Sequence, residues 1–162
     1  MNLRELKIKD APLMLEWMHD PFVVENMQTD FASKTLDDCK NFIIAAQDTS
    51  ENIHKAIVDE NDIYMGTVSL KNIDAQSAEF AITVRRCAMG KGFSKFAMTE
   101  IIQLGFEKMN LNTVYWCVSP DNKRAVRFYD KNKYQRVQSK DIKVSSYSKE
   151  LVNSLLWYVV KN

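Results

Sequence analysis

Two glycines, Gly90 and Gly92, separate a predicted strand from a predicted helix, and this junction constrains the fold more than any other feature of the sequence. The preceding run, Ala78–Val84, alternates and is rich in β-branched and aromatic residues, which is typical of a strand. After the glycines, apolar side chains recur at mostly helical spacing, at Phe93, Phe96, Ala97, Ile101, Leu104 and Met109. The pattern predicts a strand, a glycine turn and a helix start in direct succession.

Such a junction suits a bound anion. The first turn of a helix presents N–H groups that have no partner within the helix, together with a partial positive charge. Gly90 and Gly92 let a ligand approach the backbone without meeting Cβ atoms, and Lys91 adds a positive charge at the rim. We therefore expect a phosphorylated cofactor here. An ordinary strand-to-helix turn is the alternative interpretation.

Other phosphate-binding and hydrolytic patterns do not fit the sequence. The P-loop spacing Gly-x-x-x-x-Gly-Lys-Ser/Thr does not occur, and the dinucleotide pattern Gly-x-Gly-x-x-Gly fails at its third glycine, where Lys95 stands. A Ser-His-Asp or Cys-His hydrolase would need His19 or His54 beside a nucleophile, and no nucleophile elbow is present.

Composition limits the remaining function classes. The chain has 162 residues, 46% of them hydrophobic and 27% charged, as expected for one soluble domain. A net charge of +1 offers no sign of a nucleic-acid or membrane surface, and no apolar run approaches the roughly 20 residues of a membrane span. Neither a signal-peptide core nor a Cys-x-x-Cys pair occurs among Cys39, Cys87 and Cys117. We expect a cytoplasmic protein without a metal site.

The patterns along the chain predict seven strands and four helices. Helices are expected after Asp10, which we predict to cap the first of them, from Leu36 after a Ser/Thr entrance, from Ser94, and over Lys123–Lys131. Segment 48–52 reads as a polar loop, and 139–150 as a mobile loop or a strand extension. The predicted strands are Leu3–Ile8, Ile53–Val58, Ile63–Leu70, Ala78–Val84, Thr113–Val118, Tyr134–Val137 and Leu155–Val160.

The glycine junction resembles the acyl-coenzyme A (acyl-CoA) loop of the GCN5-related N-acetyltransferase (GNAT) superfamily. That family's pattern is Gln/Arg-x-x-Gly-x-Gly/Ala at the end of a strand, and here its glycines fall on Gly90 and Gly92. Cys87 stands at the Gln/Arg position, although Arg85 and Arg86 lie just before it. The segment 15–24 also resembles the N-terminal signature of the RimJ/RimL-like branch, roughly Trp-x-x-Asp-Pro-x-Val.

A second stretch, 122–134, is similar to the family's Asn-x-x-Ala/Ser-x-x-x-Tyr-x-Lys-x-Gly-Phe motif. Asn122, Ala125 and Tyr129 match the pattern, whereas Lys133 replaces the glycine. The turn at that position is therefore expected to be strained, or to place Asn132 in the left-handed region.

The resemblance covers essentially the whole chain and implies its fold class and activity. It implies an α/β (α+β) fold in one domain, residues 1–162, with a central mixed, mostly antiparallel sheet of about seven strands flanked by about four helices. The implied reaction is transfer of the acetyl group of acetyl-CoA to a primary amine by direct attack in a ternary complex. The amine would belong to a protein N-terminus, an amino sugar or a small amine, and the enzyme would be a monomer or homodimer. A non-catalytic acyl-CoA-binding module and a plain phosphate-binding scaffold remain alternatives.

The resemblance also implies the site residues. Tyr129 is the candidate acid for the leaving thiolate, since a phenol with a pKa of about 10 is protonated at neutral pH. Glu79, on the central strand before the loop, is the candidate base, with a solvated strand carboxylate as the alternative. Asn122 is either a helix cap or a cofactor contact. The acceptor is expected to contact the Trp17–Phe31 region and the loop 139–147. The expected cofactor-binding residues are Ile82, Thr83, Val84, Met89, Gly90, Lys91, Gly92, Phe93, Ser94, Asn122 and Phe128.

Overall fold

The computed structural model describes residues 1–47, 49–142, 144 and 146–162. Its seven strands are β1 Asn2–Glu5, β2 Ile53–Val58, β3 Tyr64–Lys71, β4 Ser77–Val84, β5 Thr113–Val118, β6 Gln135–Val137 and β7 Leu156–Lys161. The α-helices of this described part are α1 Ala11–Met18, α2 Pro21–Val24, α3 Leu36–Ala45, α4 Phe93–Met109, α5 Lys123–Lys131 and α6 Lys149–Ser154. None of the helices there is long and apolar enough to cross a membrane.

All seven strands form one sheet in the order β1-β2-β3-β4-β5-β7-β6. Five of the neighbouring pairs are antiparallel, and only β4 and β5 run parallel. A parallel pair needs a long crossover connection, and α4 supplies it. The mixed, mostly antiparallel sheet expected from the sequence is thus confirmed.

Side chains on the two faces of the sheet belong to different apolar cores. Along β2, Ile57 packs in the core that contains α4, whereas Ala56 and Val58 pack with α1 and α3. Along β7, Tyr158 joins the α4 core while Trp157 and its neighbours pack beneath α6. This division follows from the alternation of side chains along a strand, so helices cover both faces of the sheet.

Helix boundaries agree with local capping signals in two cases. Thr35 caps α3 in a reciprocal capping box with Asp38, as the Ser/Thr entrance predicted. Asn122 caps α5, its side-chain oxygen accepting from the N–H of Ala125 at 3.1 Å. At the far end of α4, Asn110 adopts the left-handed conformation with φ +55°.

The predicted cap at Asp10 is wrong. A short 3-10 helix, 8–10, precedes α1, so Asp10 already has helical backbone angles. Its carboxylate accepts from the N–H of Lys7 at 2.9 Å and forms an ion pair with Arg4 at 2.7 Å. Because these partners occupy the side chain, it makes no capping bond to α1.

Two short helices were not predicted, and the turn after α5 takes one of its two expected forms. Helix α2 begins at Pro21 after the cap Asp20, and α6 begins at Lys149, at the end of the segment 139–150 predicted as a mobile loop or a strand extension, and continues to Ser154. Lys143 and Ser145 of that segment, like Asp48 of the predicted loop 48–52, lie outside the described residues. After α5, Lys133 itself takes the left-handed conformation (φ +60°), in agreement with the strained turn that was one of the two alternatives, whereas Asn132, the other alternative, has φ −86°.

Candidate active site

The two parallel strands separate after three residue pairs. Their register runs from Ser77 opposite Thr113 to Glu79 opposite Tyr115 and then stops, although β4 continues to Val84 and β5 to Val118. The backbone of β4 from residue 80 onward therefore has its hydrogen-bonding groups on the β5 side without a strand partner. A gap between neighbouring strands results, and its wall includes Ile82, Thr83 and Val84.

This gap belongs to a cavity of about 530 Å³, which we call the cleft. The volume lies in the range of small-molecule and cofactor sites. Predicted site residues that line the cleft are Glu79, Ile82, Thr83, Val84, Met89, Gly90, Ser94, Asn122, Phe128 and Tyr129.

One end of the cleft is formed by the glycine junction. Gly90 and Gly92 have φ of +74° and +89°, and Gly92 is the N-cap of α4. The first backbone N–H of the helix to find a partner at its own start is that of Phe96, which donates to Gly92 at 3.0 Å. The preceding N–H groups of the helix start remain available to an anion. The conformation of both glycines agrees with the residue type, since side chains strain this backbone region.

Three predicted cofactor-binding residues do not line the cleft. The Phe93 side chain is buried in the α4 core, Lys91 is exposed to solvent, and Gly92 lies outside the lining. Arg85 also points elsewhere: its guanidinium binds the Glu16 carboxylate and donates to the carbonyl of Tyr64. Phe93 is turned away from the cleft because the first turn of α4 must bury one face against the sheet, and Phe93 lies on that face.

Tyr129 reaches the cleft from the α4 face of the sheet. It is buried in an aromatic cluster, with ring centroids 5.4 Å from Trp116 and 5.0 Å from Tyr158. Within the described residues its hydroxyl has no hydrogen-bond partner, and burial raises the pKa of this phenol. The Tyr129 phenol is therefore protonated, and no acceptor of the described chain takes its hydrogen bond.

Glu79 reaches the cleft from the other face, because its side chain alternates with those of Ala78 and Phe80. It is only 3% exposed, so the alternative of a solvated strand carboxylate is wrong. One carboxylate oxygen accepts from the Tyr147 hydroxyl at 2.7 Å, and the other from the Asn72 amide at 2.8 Å. The Lys71 ammonium lies 3.8 Å away. Burial of this carboxylate is thus compensated by hydrogen bonds and an opposite charge.

Other residues of the cleft were missed or only broadly located by sequence reasoning. Of the two segments predicted to contact the acceptor, Val23, Asn26–Thr29, Phe31 and Tyr147 line the cleft. Trp17 does not; it is buried and donates to the Tyr64 hydroxyl at 3.0 Å, as a core aromatic would. Lys71 and Cys117 carried no sequence signal, because single residues in a strand follow no motif, and Tyr147 was predicted only as part of the loop 139–147. Burial, together with the nearby Glu79 carboxylate, raises the pKa of the Cys117 thiol to about 11.

The structure also locates Asn122, the two histidines and the residue types that could bind a metal. Asn122 caps a helix and also lines the cleft, so the two alternatives for it are compatible. His19 and His54 bind the Lys34 carbonyl and the Ser69 hydroxyl, respectively, and neither lines the cleft. In the part of the chain that the structure describes, no group of three His, Cys, Asp or Glu residues could hold a metal ion.

Comparison with protein families gives a match over most of the chain. A family model described as an acetyltransferase (GNAT) domain matches residues 1–135. The chain is 28% identical to a protein of Bacillus licheniformis named "Uncharacterized N-acetyltransferase p20", over 84% of this chain and 79% of that protein. It is also 28% identical to "Acetyltransferase PseH" of Campylobacter jejuni, over 82% of each chain.

Solved structures share the fold at lower sequence identity. A spermidine N-acetyltransferase from Vibrio cholerae, crystallised with CoA and spermine, superposes with a TM-score of 0.79 at 17% identity, covering 99% of this chain and 94% of that chain. An acetyltransferase (GNAT family) from Bacillus anthracis gives a TM-score of 0.76 at 18% identity, covering 98% and 93%.

Proposed function

Since this chain belongs to the GNAT acetyltransferase family, we propose that it transfers the acetyl group of acetyl-CoA to the primary amine of an acceptor by direct attack in a ternary complex. As a family member it is an acetyl-CoA-dependent acyltransferase. The acceptor, the direct attack and the roles of individual residues are the proposal. We further propose that the enzyme is a monomer or a homodimer, as the family resemblance implies.

One observation carries the proposal: Glu79 and Tyr129 enter the same cleft from opposite faces of the sheet. Between them lies the gap where β4 and β5 separate. A thioester held in this gap would meet an amine on the Glu79 side, with its sulfur toward Tyr129. The two groups that acyl transfer needs, a base and an acid, are therefore separated by the reacting bond instead of competing for each other.

The chain's own groups account for the proton and charge balance. Glu79 accepts a proton from the incoming ammonium, directly or through water, which frees the nitrogen lone pair to form the C–N bond. Backbone N–H groups of the unpaired β4 edge polarise the carbonyl oxygen, a contribution that is often the largest in acyl transfer. As the C–S bond breaks, Tyr129 donates its proton to the sulfur. The nitrogen loses its second proton to water, solvent returns one proton to Tyr129, and Glu79 releases the proton that it accepted to solvent before the next turnover.

The glycine junction fits the cofactor's phosphates. The N–H groups of the first helical turn before Phe96 have no partner within the described residues, whereas that of Lys91 donates to the carbonyl of Ala88 at 3.4 Å. Gly90 lies on the wall of the cleft. A Cβ added to Gly90 would meet no atom within 4 Å, so the space in front of this residue is open. Arg124, at the start of α5, lines the same cleft and adds a positive charge there.

The test combines cofactor binding with turnover. Titration with acetyl-CoA should raise the melting temperature, because a ligand that binds only the native state stabilises it. Thiol release is then followed with a panel of peptides, amino sugars and polyamines. Release with at least one amine supports the enzyme, whereas tight binding without release for any amine would indicate a binding module.

A matched pair of variants tests the cofactor site. Gly90→Val and Asn110→Val both place a β-branched side chain at positive φ on either end of α4, so both should lose stability. Only Gly90→Val should weaken acetyl-CoA binding. Equal affinities for the two folded variants would refute the assignment of the glycine junction.

A further inference from the structure

The charges that line the cleft restrict the acceptor. Among the described lining residues, only Lys71, Glu79 and Arg124 carry a formal charge at neutral pH. Arg124 lies at the end assigned to the cofactor's phosphates, so Lys71 and Glu79 are the charged residues left for the acceptor. A polyamine enters such a site with several positive charges, and the site offers a single carboxylate to receive them.

The charge of that carboxylate is already compensated. Tyr147 and Asn72 donate to its two oxygens at 2.7 and 2.8 Å, and the Lys71 ammonium lies 3.8 Å from it. The remaining lone pairs can accept the proton of the reacting amine, but the one negative charge is then shared between that amine and Lys71, and a second ammonium group of the acceptor finds no further carboxylate in the described lining. A remote ammonium of the acceptor would lose water without gaining a counter-charge.

Lys71 adds repulsion at the same place. It lies on β3 directly opposite Glu79 in the antiparallel register, so its ammonium is held beside the candidate base. Its side chain is 34% exposed and lines the cleft. A like charge placed close to this ammonium is disfavoured, and specificity is often achieved by such repulsive contacts.

Neutral polar side chains line the rest of the acceptor side. Asn26, Gln28 and Thr29 line the cleft, and within the described residues their side chains make no hydrogen bonds. Amide and hydroxyl groups both donate and accept, so they match the hydroxyl groups of a neutral compound. Phe31 and Tyr147 add aromatic surface to the same lining.

We propose that the acceptor is a hydroxylated monoamine of the amino-sugar class, and that Lys71 is a specificity-determining residue that excludes polyamines. This inference rests on the proposed acetyltransferase function. It distinguishes the chain from the structurally similar enzyme crystallised with spermine.

The experiment compares acceptors that differ by one charge. 4-Amino-1-butanol and putrescine have the same carbon chain, and one amine of putrescine is replaced by a hydroxyl in the alcohol. Glucosamine and spermidine are added as larger members of each class. We expect kcat/KM to be higher for 4-amino-1-butanol than for putrescine and higher for glucosamine than for spermidine. Higher salt should narrow both differences, because it screens repulsion between charges.

Variants of Lys71 then test its role. In Lys71→Gln the preference for the monoamine should fall about fivefold, the factor that corresponds to one partly exposed charge contact. Lys71→Arg keeps the charge and should keep the preference. Lys131→Gln is the matched control, since Lys131 is exposed on α5 and outside the cleft. The preference is the ratio of the kcat/KM values of two acceptors. Any effect of Lys71 on Glu79, the base that both acceptors use, cancels in this ratio.

The outcomes separate this inference from the proposed function. A parent enzyme that accepts putrescine and spermidine as well as or better than the monoamines would overturn the inference while supporting the acetyltransferase. If the preference for the monoamine falls equally in Lys71→Gln and Lys131→Gln, Lys71 does not determine the acceptor specificity. Acetyl-CoA binding without thiol release for every amine would overturn the proposed function and this inference with it.

Discussion

The hydroxyl of Tyr147 donates a 2.7 Å hydrogen bond to Glu79 across 68 positions of sequence. Tyr147 stands just before α6, and its ring packs near Trp157 of β7, with centroids 6.1 Å apart. Glu79 lies on β4, at the last residue pair before the strands separate. The C-terminal segment is thereby connected to the candidate base, and burial followed by this hydrogen bond raises the pKa of the Tyr147 phenol.

Replacing Glu79 by Gln should slow acetyl transfer most at low pH. Fewer acceptor amines are neutral there, so the reaction depends more on a base. The shape remains similar, and the Asn72 amide and the Tyr147 hydroxyl still face a polar group. The measurement is kcat/KM for one amine from pH 6 to pH 9 in the parent and the variant. An effect of equal size at every pH would leave Glu79 a structural carboxylate.

Tyr147→Phe should loosen the segment before α6 while keeping the ring packed near Trp157. A hydrogen bond to a charged group contributes about 1.5–3 kcal/mol when fully formed, and Tyr147 is only half-buried, so a loss of about 1 kcal/mol is expected. The loosening is measured by amide hydrogen exchange, which should become faster in residues 149–154 and stay unchanged in α4. Equal exchange rates in α6 of the two proteins would mean that the hydrogen bond does not hold this segment.

Tyr129→Phe should affect chemistry and leave cofactor binding intact. Its hydroxyl has no protein partner in the described chain, so its removal leaves no buried group unsatisfied. General acid catalysis typically contributes about 10²–10⁴ in rate, so kcat should fall by that order while the acetyl-CoA Kd stays constant. Tyr134→Phe is the control, because this ring lies 6.2 Å from Tyr129 and outside the cleft. An unchanged kcat in Tyr129→Phe would assign the proton to water.

Lys133→Gly should stabilise the protein. Lys133 has φ +60°, a conformation that costs a side-chain-bearing residue about 1–2 kcal/mol and glycine little. Part of this gain in stability is offset by the greater conformational entropy of glycine in the unfolded chain. We therefore expect the free energy of unfolding to rise by about 1 kcal/mol. Lys131→Gly, at the last residue of α5, should instead destabilise, by less than the about 1 kcal/mol that glycine costs in a helix interior. Urea denaturation of both variants checks the opposite signs.

Asp62→Asn should destabilise the fold at neutral pH and progressively less in acid. Hydrogen bonds from Lys9 and Arg4 hold the pKa of the Asp62 carboxyl well below its usual range. The stabilisation is present above the unfolded pKa of about 3.9, and it is lost as the pH falls toward the lower folded value. Asn also tolerates the positive φ of this position.

Urea denaturation at pH 7, 4 and 3 measures the difference in the free energy of unfolding between Asp62→Asn and the parent. Asp37→Asn serves as the control, since the Asp37 side chain is 85% exposed and, among the described residues, forms one ion pair, with Lys40. A difference for Asp62→Asn that stays constant from pH 7 to pH 3 would contradict the assignment.

Sequence reasoning located the features that depend on a few neighbouring residues. Thr35 and Asn122 could be identified as candidate helix caps, and Gly90 and Gly92 as a turn, because capping bonds and left-handed angles are decided within about four residues. The same locality explains one error. Asp10 has the residue type of a cap, but Arg4 and Lys7 take its carboxylate. For the turn after α5 the sequence left two alternatives, and the positive φ of Lys133 agrees with the strained turn rather than with a left-handed Asn132.

The sequence by itself determined the family, the strand order along the chain and the glycine junction, since each is encoded in consecutive residues. Tertiary structure alone decided the contents of the cleft. The register of β3 against β4 places Lys71 beside Glu79, and packing of the segment before α6 brings Tyr147 to the same carboxylate. Such contacts join residues far apart in the chain, and no local pattern specifies them, because they depend on how the strands are paired and on which faces of the sheet the helices cover.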